Sequence, residues 1–280
     1  MIKNLKWPDN KKCAVMLSFD IDGETTWSNG NKGMKNGDKY LRSLSIGKYG
    51  PKRCLEDILK VLDKHNIKAT FFAPSWIVEN NQEIIRKISD EGHEIGHHGY
   101  KHERFYDESY EEQVEIIDKS QEIFQDVIGK KAIGFRTPSG DWSDFTPELL
   151  IKKGFEYSSS MRGADYPYRT EINGKKTDFI EIPTKWELDD YVQMAYNLFP
   201  AEPSGQGRIS SYDDVFNNFK WEFSGYYEYG LCISYMFHPQ VIGTPGRLIL
   251  LDDLIKFIEE KEDVWFAKGY EVAEWIRNNY

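Results

Sequence analysis

The chain has 280 residues, 40% of them hydrophobic and 29% charged, the composition of an ordinary folded protein rather than a disordered tail. Thirty-six basic against 46 acidic side chains leave a net charge of −10, which argues against a nucleic-acid partner, since tracking a phosphate backbone requires a basic face. Mean hydropathy is −0.63 and no apolar run approaches the roughly 20 residues that cross a bilayer, so no membrane partner is expected.

The opening residues Met1 to Asp9 lack the continuous apolar stretch of a signal peptide, which makes the cytoplasm the expected location. Cys13, Cys54 and Cys232 are odd in number and lack CxxC spacing, so they read as buried thiols in a reducing compartment.

Along the chain, short apolar runs alternate with longer amphipathic ones. Residues 13–19 read as a buried strand, and Leu55, Ile58, Leu59 and Leu62 form the apolar stripe of a helix over residues 51–65. A strand over 69–72, a helix over 82–91 and a short strand over 93–96 follow. A long helix over 110–127 ends at Gly129. Next come a strand over 132–135, a helix over 146–153, and short strands over 157–159 and 179–182. A helix over 211–227, a strand over 231–237, a helix over 248–261, a strand over 264–266 and a last helix to Tyr280 complete the pattern. About eight strands separated by helices imply parallel pairing and an α/β fold. No GxGxxG follows the first strand and no GxxxxGK[ST] occurs, so a (β/α) barrel is preferred to a doubly wound nucleotide-binding sheet. One domain over residues 1–280 is the simpler organisation. Three stretches, 23–50, 161–178 and 196–207, read as long irregular loops, which in compact domains are usually functional or mobile.

Four of the six histidines lie between His93 and His102. His98 and His102 are four apart, so a helical or tight-turn segment would present two imidazoles to one point, a pairing suited to Zn²⁺. A solvated His-rich turn is the plainer alternative. The first strand runs into Asp20-Ile21-Asp22-Gly23-Glu24. Two carboxylates at the end of an apolar strand need cations or donors, because burying an unpaired carboxylate is costly. One could hold a metal while the other acts as base, or both could simply end the strand in an Asx-turn. Asp20, Asp22, His98, His102, Arg136 and His238 all follow closely after predicted strands. In a barrel those positions share the C-terminal rim, where such folds keep their active sites.

Phe19-Asp20-Ile21-Asp22-Gly23, His98-Gly99-Tyr100-Lys101-His102, Phe135-Arg136-Thr137-Pro138 and Phe237-His238-Pro239 occur in the order of the motifs of the polysaccharide deacetylases, the NodB-homology or carbohydrate esterase 4 group, which this chain resembles. The separated aspartates of Asp20-Ile21-Asp22-Gly23-Glu24 are similar to the cytoplasmic peptidoglycan-deacetylase-like and allantoinase- or imide-hydrolase-like branch. The resemblance implies a distorted barrel of seven or eight strands that hydrolyses amide C–N bonds. It implies Asp22, His98 and His102 as ligands of a divalent metal, Zn²⁺ first, with Co²⁺, Fe²⁺ or Mn²⁺ as alternatives. Asp20 would be the general base, Arg136 would orient it, and His238 would protonate the departing nitrogen. The backbone near Ser139 would help bind the oxyanion, Tyr157 and Asp190 would border the pocket, and Trp186 would stack on a sugar or heterocycle or else sit in the core. His93 and His97 are expected to be structural. The substrate expected is an N-acetylated sugar or glycan. A small cyclic amide, imide or ureide and a non-catalytic carbohydrate-binding barrel are the alternatives. The cytoplasmic branch implies a homo-oligomer.

Overall fold

The computed structural model describes residues 5–28, 37–196 and 209–280. Its sheet begins with β1 (Cys13–Asp20), buried along its whole length. The further strands are β2 (Thr70–Ala73), β3 (Glu94–His97), β4 (Gly134–Phe135), β5 (Tyr157–Ser158), β6 (Tyr168–Ile172), β7 (Lys175–Glu181), β8 (Cys232–Phe237) and β9 (Val264–Phe266). Their order is β6-β7-β5-β4-β3-β2-β1-β8, with β9 beside the first residues of β1. Every ladder is parallel except that between β6 and β7. The main ladders leave a gap between β7 and β8, which is bridged by a single parallel pair, Asp189 to Met236, the former in the segment that follows β7. The result is a distorted (β/α) barrel.

The two-residue period of a strand decides what each side chain meets. In β1, Cys13, Val15, Leu17 and Phe19 join the core between sheet and helices, while Ala14 and Met16 join a separate cluster. That second cluster adds Phe72, Tyr157, Ile180 and Cys232, and is closed by Val272, Ala273 and Ile276 of the last helix, Gly269–Asn279. Ser18 and Asp20 continue the same face of β1 as Ala14 and Met16. An apolar plug therefore fills the lower interior, and polar side chains occupy the layer above it.

Several expectations change. The stretch 23–50 is not a single loop: it holds a turn of 3-10 helix at Gly23–Thr26 and an α-helix at Leu41–Tyr49, while residues 29–36 lie outside the described residues. A Cβ on Gly47 would lie 2.3 Å from the carbonyl oxygen of Gly23, so two glycines let the helix sit directly on the 3-10 turn. The stretch 161–178 is irregular only over residues 161–167, because Tyr168 to Glu181 forms the β6–β7 hairpin. Its turn is Asn173-Gly174, with φ of 51° and 74°, the left-handed pair that a two-residue hairpin loop requires. A short helix at Ser75–Asn80 was not expected. Of the stretch 196–207, only Tyr196 lies within the described residues.

Tyr157 is wedged between Gly134, which opens β4, and Gly269, which opens the last helix. A Cβ on Gly134 would stand 2.3 Å from its hydroxyl oxygen and one on Gly269 would stand 2.2 Å away, while that hydroxyl donates to Glu94 Oε1 at 2.9 Å. The ring has nowhere to move. Gly134→Ala should therefore destabilise the fold by about 1–3 kcal/mol. Urea unfolding checks this, and an unchanged midpoint would show that the barrel interior yields.

Candidate active site

Asp20 ends β1 facing inward, and Asp22 follows two residues later at the start of the 3-10 turn. Both are only 3% exposed. Beside them, the segment after β3 turns so tightly that Gly99 and His102 take positive φ values of 75° and 62°. Glu103 organises this turn by accepting the backbone N–H groups of Tyr100 and Lys101, each at 2.8 Å. Backbone bonds from Ser75 and Trp76 to the carbonyls of Gly99 and Tyr100 tie it to the neighbouring helix. The outcome is two imidazoles whose ring centroids stand 5.0 Å apart. A left-handed non-glycine residue is costly, and such strain collects at functional sites.

The donor atoms converge. Asp22 Oδ1 lies 3.5 Å from His98 Nε2 and 3.6 Å from His102 Nε2. The three form one buried group with metal-ligand spacing. His98 Nδ1 is 2.7 Å from the carbonyl oxygen of Arg136, which can only accept, so Nδ1 carries the proton and Nε2 presents its lone pair. Burial lowers the His102 pKa to about 4, keeping the ring neutral, as a ligand requires. Burial alone would raise Asp22, but His102, His98 and His238 outweigh it and hold this carboxylate well below its usual range. Asp22 Oδ1 is nevertheless buried without any hydrogen bond. One carboxylate oxygen and two imidazole nitrogens fit a divalent ion and leave positions open for water and substrate.

Arg136 lies beneath this group. Its Nη1 donates to Asp20 Oδ1 at 2.7 Å and to Ser18 Oγ at 2.8 Å. Nε and Nη2 donate to the carbonyl and hydroxyl of Ser159, both at 2.8 Å, and the guanidinium carbon stacks 4.2 Å from the Phe72 ring centroid. Asp20 is thereby fixed with Oδ2 3.9 Å from His98 Nε2.

His238 approaches from the end of β8. Its Nε2 is 3.8 Å from Asp22 Oδ2, and its Nδ1 is 2.7 Å from Asp190 Oδ1. Asp190 also accepts the His238 backbone N–H at 3.0 and 3.1 Å. Burial would lower His238, but Asp190 first, then Asp22 and Asp189, raise it to about 10. Asp189, Asp190 and His238 could also be taken for a metal group, but Asp190 Oδ1 is already hydrogen-bonded directly to Nδ1.

These groups line a cavity of about 450 Å³ that also includes Ser139, Arg162, Trp186, Asp189 and Tyr191. Ser139, at φ 57°, lines the wall with its Oγ 3.5 Å from His102 Nδ1. Trp186 is 58% exposed at the cavity, not in the core. Two expected pocket residues lie elsewhere. Tyr157, in β5, sits two residues below Ser159, which follows the strand, and lies in the apolar plug. Asp190 is buried behind His238 and is not among the cavity-lining residues. Asp189, Arg162 and Tyr191 were not anticipated. Asp189 carried a signal, as the first of two adjacent acids beside a predicted site residue. Burial raises its pKa to about 6.

A sequence profile described as polysaccharide deacetylase matches residues 48–158. A peptidoglycan deacetylase from Helicobacter pylori is 29% identical over 94% of this chain and 96% of its own. A crystal structure from Mycobacterium smegmatis, assigned to the polysaccharide deacetylases, is 30% identical with a TM-score of 0.90, covering 98% of this chain and 93% of that one. The chain belongs to the polysaccharide deacetylase family. An allantoinase structure, 22% identical with a TM-score of 0.82 over 98% of this chain and 93% of its own, shares the fold. As a member of the family, this protein is a hydrolase of amide C–N bonds.

The enzyme's other histidines make structural contacts. His65 bonds to Asp252 and Glu259, both at 2.8 Å, from the end of its helix. His97 Nδ1 accepts the Gly99 N–H at 3.1 Å, amid Phe124, Phe135 and Phe155. His93 Nδ1 accepts the Ala69 N–H at 3.0 Å. Burial, with smaller contributions from Lys68 and Lys268, lowers its pKa from 6.5 to about 4. The unfolded chain thus takes up a proton below pH 6.5 that the fold refuses until about pH 4, and stability falls across that window. His93→Asn can still accept the amide but does not titrate there. It should flatten the acid-side fall in Tm, by up to roughly 3 kcal/mol of stability at pH 4. An unaltered Tm profile would show that His93 has no part in it.

Proposed function

We propose that this enzyme removes the acetyl group from an N-acetylated sugar or its oligomer, using a divalent ion, Zn²⁺ first, held by Asp22, His98 and His102. The observation that carries the reading is the convergence of Asp22 Oδ1 with two imidazole nitrogens at 3.5 and 3.6 Å, the carboxylate oxygen having no other partner. A bound ion of this kind supplies a Lewis acid that polarises an amide carbonyl and acidifies water.

The chain's own groups do the rest. Asp20, paired with Arg136, accepts the proton of the attacking water. His238, clamped by Asp190, gives a proton to the nitrogen as the C–N bond breaks. His98 is held by the Arg136 carbonyl with its lone pair toward Asp22. Ser139 and its neighbouring backbone border the space where the carbonyl oxygen becomes an oxyanion. Trp186 offers a ring face for a sugar. Three free, buried cysteines fit a reducing cytoplasm.

A cavity of about 450 Å³ is also the size of a small-molecule site, which supports a second reading, ring opening of a cyclic amide, imide or ureide. An activity panel of acetylated chito-oligosaccharides, allantoin and succinimide, run with metal analysis, separates the two. Release of acetate from the sugars supports the first reading, and turnover of the cyclic compounds alone overturns it.

A further inference from the structure

We propose that Arg162, stacked on Trp186 in the cavity wall, recognises a carboxylate on the substrate, so that the enzyme favours acidic N-acetylated sugars over neutral ones. This rests on the deacetylase reading and adds a substrate class to it.

The two residues make a built shelf. The Arg162 guanidinium carbon lies 3.7 Å from the Trp186 ring centroid, so the ring fixes the plane of the fork. Both residues line the cavity that holds Asp20, Asp22 and His238. Arg162 Nη1 is buried and has no hydrogen-bond partner. Nε of Arg247 and of Arg277 is also buried without a partner, but both of those guanidiniums are anchored through their other nitrogens and neither lines the cavity. Arg136 donates from Nε and both Nη atoms, Arg169 pairs with Asp178, and Arg247 donates to the carbonyls of Val241 and Met194.

A planar guanidinium presents parallel N–H donors that match the two oxygens of a carboxylate. Stacking already orders the fork, so less freedom is lost when an anion docks. The surrounding charge agrees. Asp20, Asp22 and Asp189 share the cavity lining with Arg104, Arg136, Arg162 and a protonated His238, so a divalent ion would leave it positive within a protein of net charge −10. Burial lowers the Arg162 pKa, partly offset by Asp189, as befits a cation short of a close anionic partner.

The test compares an N-acetylmuramic acid oligosaccharide, its methyl ester and a neutral chito-oligosaccharide on the metal-loaded enzyme. The acid should exceed its ester in kcat/KM by about 10- to 100-fold, the range of a charge-assisted hydrogen bond. Arg162→Gln should abolish that preference, lowering kcat/KM on the acid far more than on the ester or the neutral sugar, and Arg162→Lys should keep part of it. Calorimetry in an Asp20→Asn background should show the same loss in affinity for the acid. Equal rates on acid and ester would overturn carboxylate recognition and leave deacetylation standing. An equal loss on all three substrates in Arg162→Gln would mean a structural role. Absence of acetate release from every sugar would overturn the deacetylase reading itself, and this proposal with it.

Discussion

Asp20→Asn should lower kcat by about 10³-fold while leaving the metal content of the protein unchanged. The substitution is isosteric, and the amide oxygen can still accept from Arg136 Nη1, which now meets Oδ1 at 2.7 Å. Ser18 and Ser159 continue to hold the guanidinium, so the pocket keeps its shape. What disappears is a carboxylate able to take a proton beside Asp22 and His98. Rate and metal stoichiometry measured on the same preparation check this. A variant with near-normal kcat would remove Asp20 from proton transfer.

Arg136→Met should destabilise the fold by about 3–5 kcal/mol, far more than the loss of a surface ion pair. Arg136 and Asp20 are 2% and 3% exposed and bonded to each other. Removing the cation leaves a buried carboxylate with no counter-charge, and it orphans the Ser159 carbonyl as well. Methionine fills part of the volume but offers no donor. Adding Asp20→Asn to Arg136→Met should recover part of the loss, since no buried anion then remains, and the double-mutant cycle isolates that pairing. Denaturant unfolding of the four proteins measures it. A loss below about 1 kcal/mol for Arg136→Met would show that water reaches Asp20 readily.

Much of this site was legible because strand ends are legible. The apolar run into Asp20 and the Phe237-His238 ending each combine a strand signal with a residue that a core does not need. The barrel then brings such ends to one rim. The helix over 55–64 and the long helix stopped by Gly129 were equally plain, since apolar spacing and a left-handed cap are local properties. Depth within the barrel was not legible. Tyr157 and Ser159 are two residues apart, and only the stacking of layers decides that the first packs against Glu94 while the second holds Arg136. The role of Asp190 was hidden for a similar reason. Its partner His238 is 48 residues away, and nothing local tells a pocket carboxylate from one that clamps a histidine. The β6–β7 hairpin had a local signal in Asn173-Gly174, masked by the polar residues around it.

On the proposed reading, Asp22, His98 and His102 together hold one metal ion. Elemental analysis after Zn²⁺ loading and desalting of the wild type, Asp22→Asn, His98→Gln and His102→Gln tests it most directly. About one ion per chain in the wild type and a fraction of that in each variant is the expected result. Full stoichiometric metal in His102→Gln, with the fold intact, would contradict it.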